Sequence, residues 1–356
     1  MKKIKISIIM PIYNPPIEYL KQALESMINQ KNKSTELVLV LDGSNKKTEQ
    51  LCIKYQKKDN RIKIYRQKNK GEGGARNTGI EKARGKWITF LDSDDWLENN
   101  AVEIMKEQLD KFNKYENEID LIIFDTYINY KNKEVKNEFY IKEGMLSKVD
   151  IEEIQLQNIG QGVCKYYPKR CNVSVAWAKL YNRKFLLDNN LKFIEDMKRY
   201  ADTVFNIEAL EKAKKIIYSN KYVYHYRKND YSITNNYYKE MKKDVYIFLA
   251  KVEEYVCKYN KSEKYEKTYY MAVLSKIIEL LEMSYKKEKV IQDLEEINAK
   301  YDKELKKIII MVKQHEININ KYKKMMLKNI INKNIIKIKI LMYIKKIIKY
   351  IIKIKK

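Results

Sequence analysis

The first 115 residues alternate between two hydrophobic periods, and no other feature restricts the fold as much. Short β-rich apolar runs occur at IKISIIM (4–10), ELVLVL (36–41), RIKIYR (61–66) and KWITFL (86–91). Stretches of helical character lie between them at about 17–29, 46–58 and 74–83; another follows near 97–112, and a further strand is expected at DLIIFDTYI (120–128). Such alternation predicts an α/β fold with a mainly parallel sheet, helices covering both faces. In sheets of this kind ligands gather at the carboxyl ends of the strands. Here those ends run into Pro11-Ile12-Tyr13-Asn14, Asp42-Gly43-Ser44, Gln67 to Gly74 and Asp92-Ser93-Asp94-Asp95, which should converge on one rim.

Specialised backbone geometry concentrates in the same region. Six of the nine glycines lie between positions 43 and 85, and Pro11, Pro15 and Pro16 are three of only four prolines. The net charge of +26 is mostly lysine in a chain also rich in Ile, Asn and Tyr, so lysine abundance alone does not indicate a nucleic-acid partner, and none is expected. Cys52, Cys164, Cys171 and Cys257 are scattered without a CxxC, and the N-terminal apolar run is broken by Lys5 and closed by Pro11, too short for a signal peptide. No apolar run is long enough to span a bilayer. A reducing, cytoplasmic setting is the expectation. The pattern becomes irregular from about 130 to 235, with a helix at 201–212, and is helical and lysine-rich from 237 onward. Residues 1–235 therefore read as one catalytic unit and 236–356 as a helical appendage.

The stretch ITFLDSDDWL (88–97) places three carboxylates at a strand end without a lysine among them. Carboxylate oxygens suit Mg²⁺ or Mn²⁺ and leave coordination positions for phosphates and water, whereas two histidines in the whole chain make a zinc set untenable. The competing reading is that Ser93, Asp94 or Asp95 caps a helix beginning near Trp96. Upstream, KNKGEGGARNTGI (68–80) offers glycines that let a backbone approach a ligand, followed by a helix whose first N–H groups attract anions. Its Gly71-x-Gly73-Gly74 spacing, after the third strand, is not the G-x-G-x-x-G of a dinucleotide-binding loop.

Taken in order, SIIMPIYN (7–14), VLVLDGS (38–44) and GGARNTGIEKARGKWITFLDSDDW (73–96) resemble the nucleotide-sugar glycosyltransferases of family 2, which have the GT-A (Rossmann-like) fold. AWAKLYNRKFLLDNNLKF (176–193), YADTVFNIEAL (200–210) and YHYRKNDYSIT (224–234) extend the resemblance to about two thirds of the chain. It implies a GT-A domain over 1–235, with a nucleotide-sugar-binding half at 1–115 and an acceptor-binding half at 116–235. The α-helical C-terminal region 236–356 lies beyond it. Pro11, Tyr13 and Asp42 are then nucleoside-binding and Arg76 donor-binding. Asp92 is the ribose or metal-shell carboxylate, and Asp94 the direct ligand of Mn²⁺ or Mg²⁺. His225 completes the metal shell or contacts the diphosphate, which Arg227 also meets. Trp177 and Lys179 lie under the acceptor, a buried Trp being the plainer alternative. Where the family has Asp-Asp before Gly-Ser this chain has Leu41-Asp42, and where it has Glu-Asp this chain has Ala201-Asp202.

Asp202 is the candidate base, Asp196 of the earlier Glu195-Asp196 pair the second candidate, and a simple N-cap the competing reading of Asp202. The activity implied is inverting, metal-dependent sugar transfer from a nucleotide sugar, a UDP-sugar, to a glycan or lipid-linked acceptor in bacterial surface-polysaccharide assembly. Two alternatives stand beside it. A nucleotidyltransferase also uses carboxylate-held Mg²⁺, but its glycine-rich loop after strand one is missing here; the other is a non-catalytic sugar-nucleotide or membrane-surface binding protein.

Residues 321–356 hold thirteen lysines and no acid, half of the net charge. Ile340, Ile344, Ile347, Ile348 and Ile351 recur at helical spacing, with Lys339, Lys346, Lys349 and Lys353 largely on other faces. That profile fits a helix lying on an anionic membrane surface, which places the protein peripherally on the inner face of the cell membrane. Packing of the isoleucines on the protein itself, or on a partner in a homo-oligomer, are the alternatives.

Overall fold

The computed structural model describes residues 5–112, 118–160, 174–228, 240–285 and 289–354. It divides into two compact units, Met1–Asn158 with Lys165–Ser232, and Ile159–Cys164 with Ile233–Lys356.

The first unit begins β1 (Ile6–Ile12), α1 (Ile17–Ile28), β2 (Thr35–Asp42), α2 (Lys46–Lys58), β3 (Ile62–Gln67), α3 (Gly71–Lys82) and β4 (Trp87–Phe90). It continues β5 (Trp96–Leu97), α4 (Ala101–Lys111), β6 (Leu121–Tyr130), β7 (Lys133–Asn137), β8 (Gly144–Met145), α5 (Lys148–Ile159), β9 (Lys179–Asn182), α6 (Arg183–Asp188), α7 (Ala201–Lys212) and β10 (Ile216–Arg227). The strands form one sheet in the order β3-β2-β1-β4-β9-β6-β10-β5, with β7 on β6 and β8 on β10. The first four in that order pair in parallel. β9 enters antiparallel to both β4 and β6, which returns β6 and its parallel neighbour β10 to the direction of β4. Every residue of β1 and β2 is buried, as expected of strands covered on both faces. The fit is close: a Cβ at Gly79 of α3 would lie 2.2 Å from the Ile9 side chain of β1.

Two expectations change. The helix near 97–112 starts only at Ala101, because Trp96–Leu97 pairs antiparallel with β10. The acidic motif thus leads into a strand, and Ser93, Asp94 and Asp95 have no helix there to cap. β10 itself lies between β6 and β5.

The second unit is helical: α8 (Met241–Lys258), α9 (Glu263–Tyr285), α10 (Val290–Lys313), α11 (Lys321–Ile331) and α12 (Ile335–Ile354). α9 is its centre, meeting α8, α10, α11 and α12 and burying Val273, Leu274, Ile277, Leu280 and Leu281. Met326, Leu327 and Ile330 of α11 and Ile338, Leu341 and Met342 of α12 are buried too, so the basic tail belongs to this unit's fold. Among the described residues no helix is long and apolar enough to cross a membrane. Cys52 is a buried free thiol and Cys257 an exposed one; Cys164 and Cys171 lie outside the described residues.

Candidate active site

The rim is organised around one arginine. Arg76, in the second turn of α3, is 2% exposed. Its Nη1 donates to Asp202 Oδ1 at 2.6 Å, and its Nη2 donates to Asp92 Oδ1 at 2.7 Å and to Glu72. Phe193 and Phe90 lie 5.3 and 5.8 Å from the guanidinium. Carboxylates from α3, from the loop after β4 and from the first turn of α7 thereby meet on a single planar fork, the geometry for which arginine is suited. Glu72 was missed in the sequence; its i, i+4 spacing from Arg76 was the available signal.

Burial pulls the Arg76 guanidinium down, yet Asp202, Glu72 and Asp92 hold it well above its ordinary value. Loss of water raises the Asp202 carboxyl; Arg76 opposes that rise and Asp92 adds to it. Glu72, although half of its side chain is exposed, is pushed up to about 8 by desolvation, with Arg76 opposing and Asp92, Asp202 and Asp94 reinforcing.

Asp202 is held from a second side. Its Oδ2 accepts from the Ala176 backbone N–H at 2.9 Å, so the carboxylate reaches another segment; the residue before α7 is Tyr200, in the left-handed region (φ 67°), and it makes no side-chain cap. The Ala176 loop is clamped beneath. Asn206 Nδ2, one turn after Asp202, donates to the carbonyls of Ser174, Val175 and Asp202. Tyr181 donates its hydroxyl to Ala176 O or to Asn206 Oδ1, and Lys179 Nζ donates to Val175 O. Lys179 is fully buried, where desolvation lowers it to about 7 against the pull of Asp202, so it supports the loop from inside and presents no surface to an acceptor. Trp177 is likewise buried, stacked on Tyr224 at 4.6 Å and on Tyr226 at 5.4 Å. Its ring is occupied by aromatic packing and not offered to a sugar.

Asp196 sits apart from this cluster. It is exposed, with φ 57°, and its N–H donates to Lys70 O at 2.9 Å. The chain around it crosses the start of α3. A Cβ at Gly73 would come within 2.5 Å of Ile194 O, and Asn77 exchanges hydrogen bonds with the Phe193 backbone at 2.9 and 2.8 Å. Gly73 thus admits a neighbouring segment at the point where the sequence pointed to a ligand.

β10 braces the acidic loop. Asp95 is buried, with Oδ2 accepting from Tyr224 Oη and Oδ1 from the Arg227 N–H, both at 2.7 Å. Desolvation, together with Asp94 and Asp92, raises its carboxyl well above the usual range. Arg227 donates through Nε to Asp94 O at 2.8 Å and through Nη2 to Gln22 at 2.5 Å, its guanidinium lying 4.1 Å from the Tyr19 ring and 4.6 Å from Trp96. His225 stacks between Trp96 (4.9 Å) and Tyr127 (4.8 Å). Its Nε2 lies 3.1 Å from Glu98, and its Nδ1 lies 3.1 Å from Glu134 and 3.2 Å from Asn129. Both ring nitrogens are thus engaged by neighbouring polar side chains.

At the carboxyl end of β1, Pro11 is buried and Tyr13 is 60% exposed just beyond the strand. The ends of β1 and β2 are tied by Ser44 Oγ to Ile12 O and by the Asn45 N–H to Asn14 Oδ1, both at 2.8 Å. Asp42 is buried and accepts from Gln67 at 2.7 Å and from the Lys70 N–H at 2.9 Å. Among the described residues no three His, Cys, Asp or Glu side chains converge on a metal position. Asp92 and Asp94 are partly exposed oxygen donors, which fits a hard cation that takes its remaining ligands from phosphate and water. Asp95, with both oxygens accepting internally, does not fit.

The family model described as glycosyl transferase family 2 matches residues 7–159. Two Bacillus subtilis (strain 168) proteins named as glycosyltransferases are similar. EpsH is 28% identical over 74% of this chain and 72% of its own length, and EpsJ 28% identical over 66% and 64%. Glycosyltransferase GlyA of Streptococcus pneumoniae serotype 4 is 32% identical over 63% of this chain, which spans only 30% of GlyA. Among solved structures, S. aureus TarS 1–349 in complex with UDP-GlcNAc aligns with a TM-score of 0.57 at 18% identity, over 84% of this chain and 92% of that one. This structural likeness speaks for the fold.

Proposed function

Because this chain is a family 2 glycosyltransferase of GT-A fold, we propose that its rim moves a sugar, with inversion, from a UDP-sugar to a hydroxyl of a glycan or lipid-linked acceptor in surface-polysaccharide assembly. Family membership displaces the nucleotidyltransferase and non-catalytic readings. The observation that carries the proposal is the Arg76 fork, which gathers Asp92 of the donor-side loop and Asp202 of α7 onto one cation.

In this reading the acceptor oxygen attacks the anomeric carbon as the bond to the leaving diphosphate breaks, and Asp202 takes the acceptor's proton. A raised carboxyl is a stronger base than a free one, and the bonds from Arg76 and Ala176 orient it. Asp94, with Asp92, holds Mn²⁺ or Mg²⁺, which when bound supplies positive charge to the departing diphosphate. Pro11, Tyr13 and Asp42 serve the nucleoside. Arg227, bonded to the Asp94 carbonyl, keeps the loop in place beside the diphosphate.

The TarS complex holds UDP-GlcNAc, which sets the first donors to try. A panel of UDP-, GDP- and dTDP-sugars, with Mn²⁺, Mg²⁺ or EDTA, is read by thermal shift and by nucleotide release. A bound donor stabilises the native state by mass action. At least one UDP-sugar should raise the melting temperature and be turned over only with metal, and Asp94→Asn should lose both responses while remaining folded. Turnover that persists in EDTA, or in Asp94→Asn, counts against the metal assignment; a donor other than a UDP-sugar would replace the nucleotide.

A further inference from the structure

α12 has two apolar faces, and its own fold uses one. Ile338, Leu341 and Met342 are buried within the helical unit, and Lys345 on the same side pairs with Glu282 of α9. At 100° per residue the opposite side carries Ile336, Ile340, Tyr343, Ile344 and Ile347, each between 41% and 74% exposed. Exposed Lys339 and Lys346 border this ridge on one side and Lys337 on the other. A contiguous apolar ridge on a soluble surface marks an interaction site.

The charge selects the partner. With thirteen lysines and no acid in 321–356, a second copy of this face would set like charge against like. An anionic bilayer offers negative headgroups above an apolar interior, and lysines beside an apolar ridge can lay their stems along it with the ammonium groups at headgroup level. We propose that α12 seats the folded C-terminal unit on an anionic phospholipid surface. Ile336, Ile340, Ile344 and Ile347 enter the acyl boundary, Lys337, Lys339 and Lys346 lie at the headgroups, and Ile338, Leu341 and Met342 stay in the bundle. The tail is thus a face of a folded unit and no detachable arm: deleting 321–356 would also remove core residues of that unit. The inference does not depend on which sugar is transferred.

The test uses the full chain and sedimentation with vesicles of phosphatidylcholine, alone or mixed with phosphatidylglycerol. The wild type should bind the mixed vesicles, release with salt, and leave the neutral ones largely unbound. Ile340→Glu with Ile344→Glu should abolish binding at unchanged melting temperature. Lys339→Gln with Lys346→Gln keeps the ridge intact and should weaken binding about thirtyfold. The second pair keeps the test decisive if the first fails to fold. Absence of wild-type binding, equal binding to neutral vesicles, or full binding by a folded ridge variant overturns the proposal. A dimer in light scattering that the ridge variant dissociates would assign the face to a second copy instead.

Discussion

Charge at the sheet rim and charge on α12 are set in opposite ways. At the rim a guanidinium that is 2% exposed meets three carboxylates, and Asp95 is enclosed by Tyr224 and the Arg227 backbone. On α12 the lysines stand in water around an apolar ridge. Buried charges interact strongly and only in the right geometry, so they position one another; exposed ones interact weakly and through a screened field, so they act over distance on whatever approaches. Equal counts of charge therefore have unequal consequences for folding.

The largest effect should come from Arg76. Arg76→Met leaves Glu72, Asp92 and Asp202 without their shared cation. It should cost about 3–5 kcal/mol in chemical denaturation and lower transfer about 10³-fold. Arg76→Lys restores a charge without the fork, so stability should recover further than activity. A near-neutral Arg76→Met would erase the contrast with the tail.

A second, smaller effect sharpens what burial does to a lone carboxyl. Asp125 is fully buried, accepts from the Tyr218 hydroxyl at 2.8 Å and from the Phe139 N–H at 2.8 Å, and is pushed by desolvation up to about 7. The folded chain keeps a proton that the unfolded chain releases near pH about 4. This group's contribution therefore falls as pH rises through that window, by about 1.4 kcal/mol per pH unit, and levels off above it. Melting temperatures across the window should show a shallower decline in Asp125→Asn.

The smallest effect belongs to the tail. Lys339→Gln with Lys346→Gln should leave stability within about 0.5 kcal/mol of the wild type, because both side chains are exposed. A loss comparable to that of Arg76→Met would show that these lysines are structural after all.

The sheet was legible because two-sided burial makes β1 and β2 continuous apolar runs and α1 to α3 carry helical periodicity. β5 escaped notice because two residues are too few to show any period. In the site, Arg76, Asp92 and Asp202 each stood out, but no spacing rule brings residues 16 and 126 positions apart onto one guanidinium. His225, Trp177 and Lys179 share one limit: a ring or an ammonium group reads the same in sequence whether it faces solvent or, as here, is stacked on Trp96, stacked on Tyr224 or enclosed under a loop. The helical period of the tail was equally plain, yet it could not say that Ile338 points inward and Ile340 outward.

The central claim is that sugar transfer at the rim uses Asp202 as its base, and the direct measurement is transfer rate alongside donor affinity for Asp202→Asn and Asp196→Asn. Asn keeps the shape of Asp but cannot take the acceptor's proton. Asp202→Asn should lower transfer by about 10²-fold or more with donor affinity nearly unchanged, while Asp196→Asn, at an exposed site bonded through its backbone to Lys70, should transfer almost normally. Near-normal transfer by Asp202→Asn, with the loss appearing instead in Asp196→Asn, would contradict the account and move the base to the segment that crosses the start of α3.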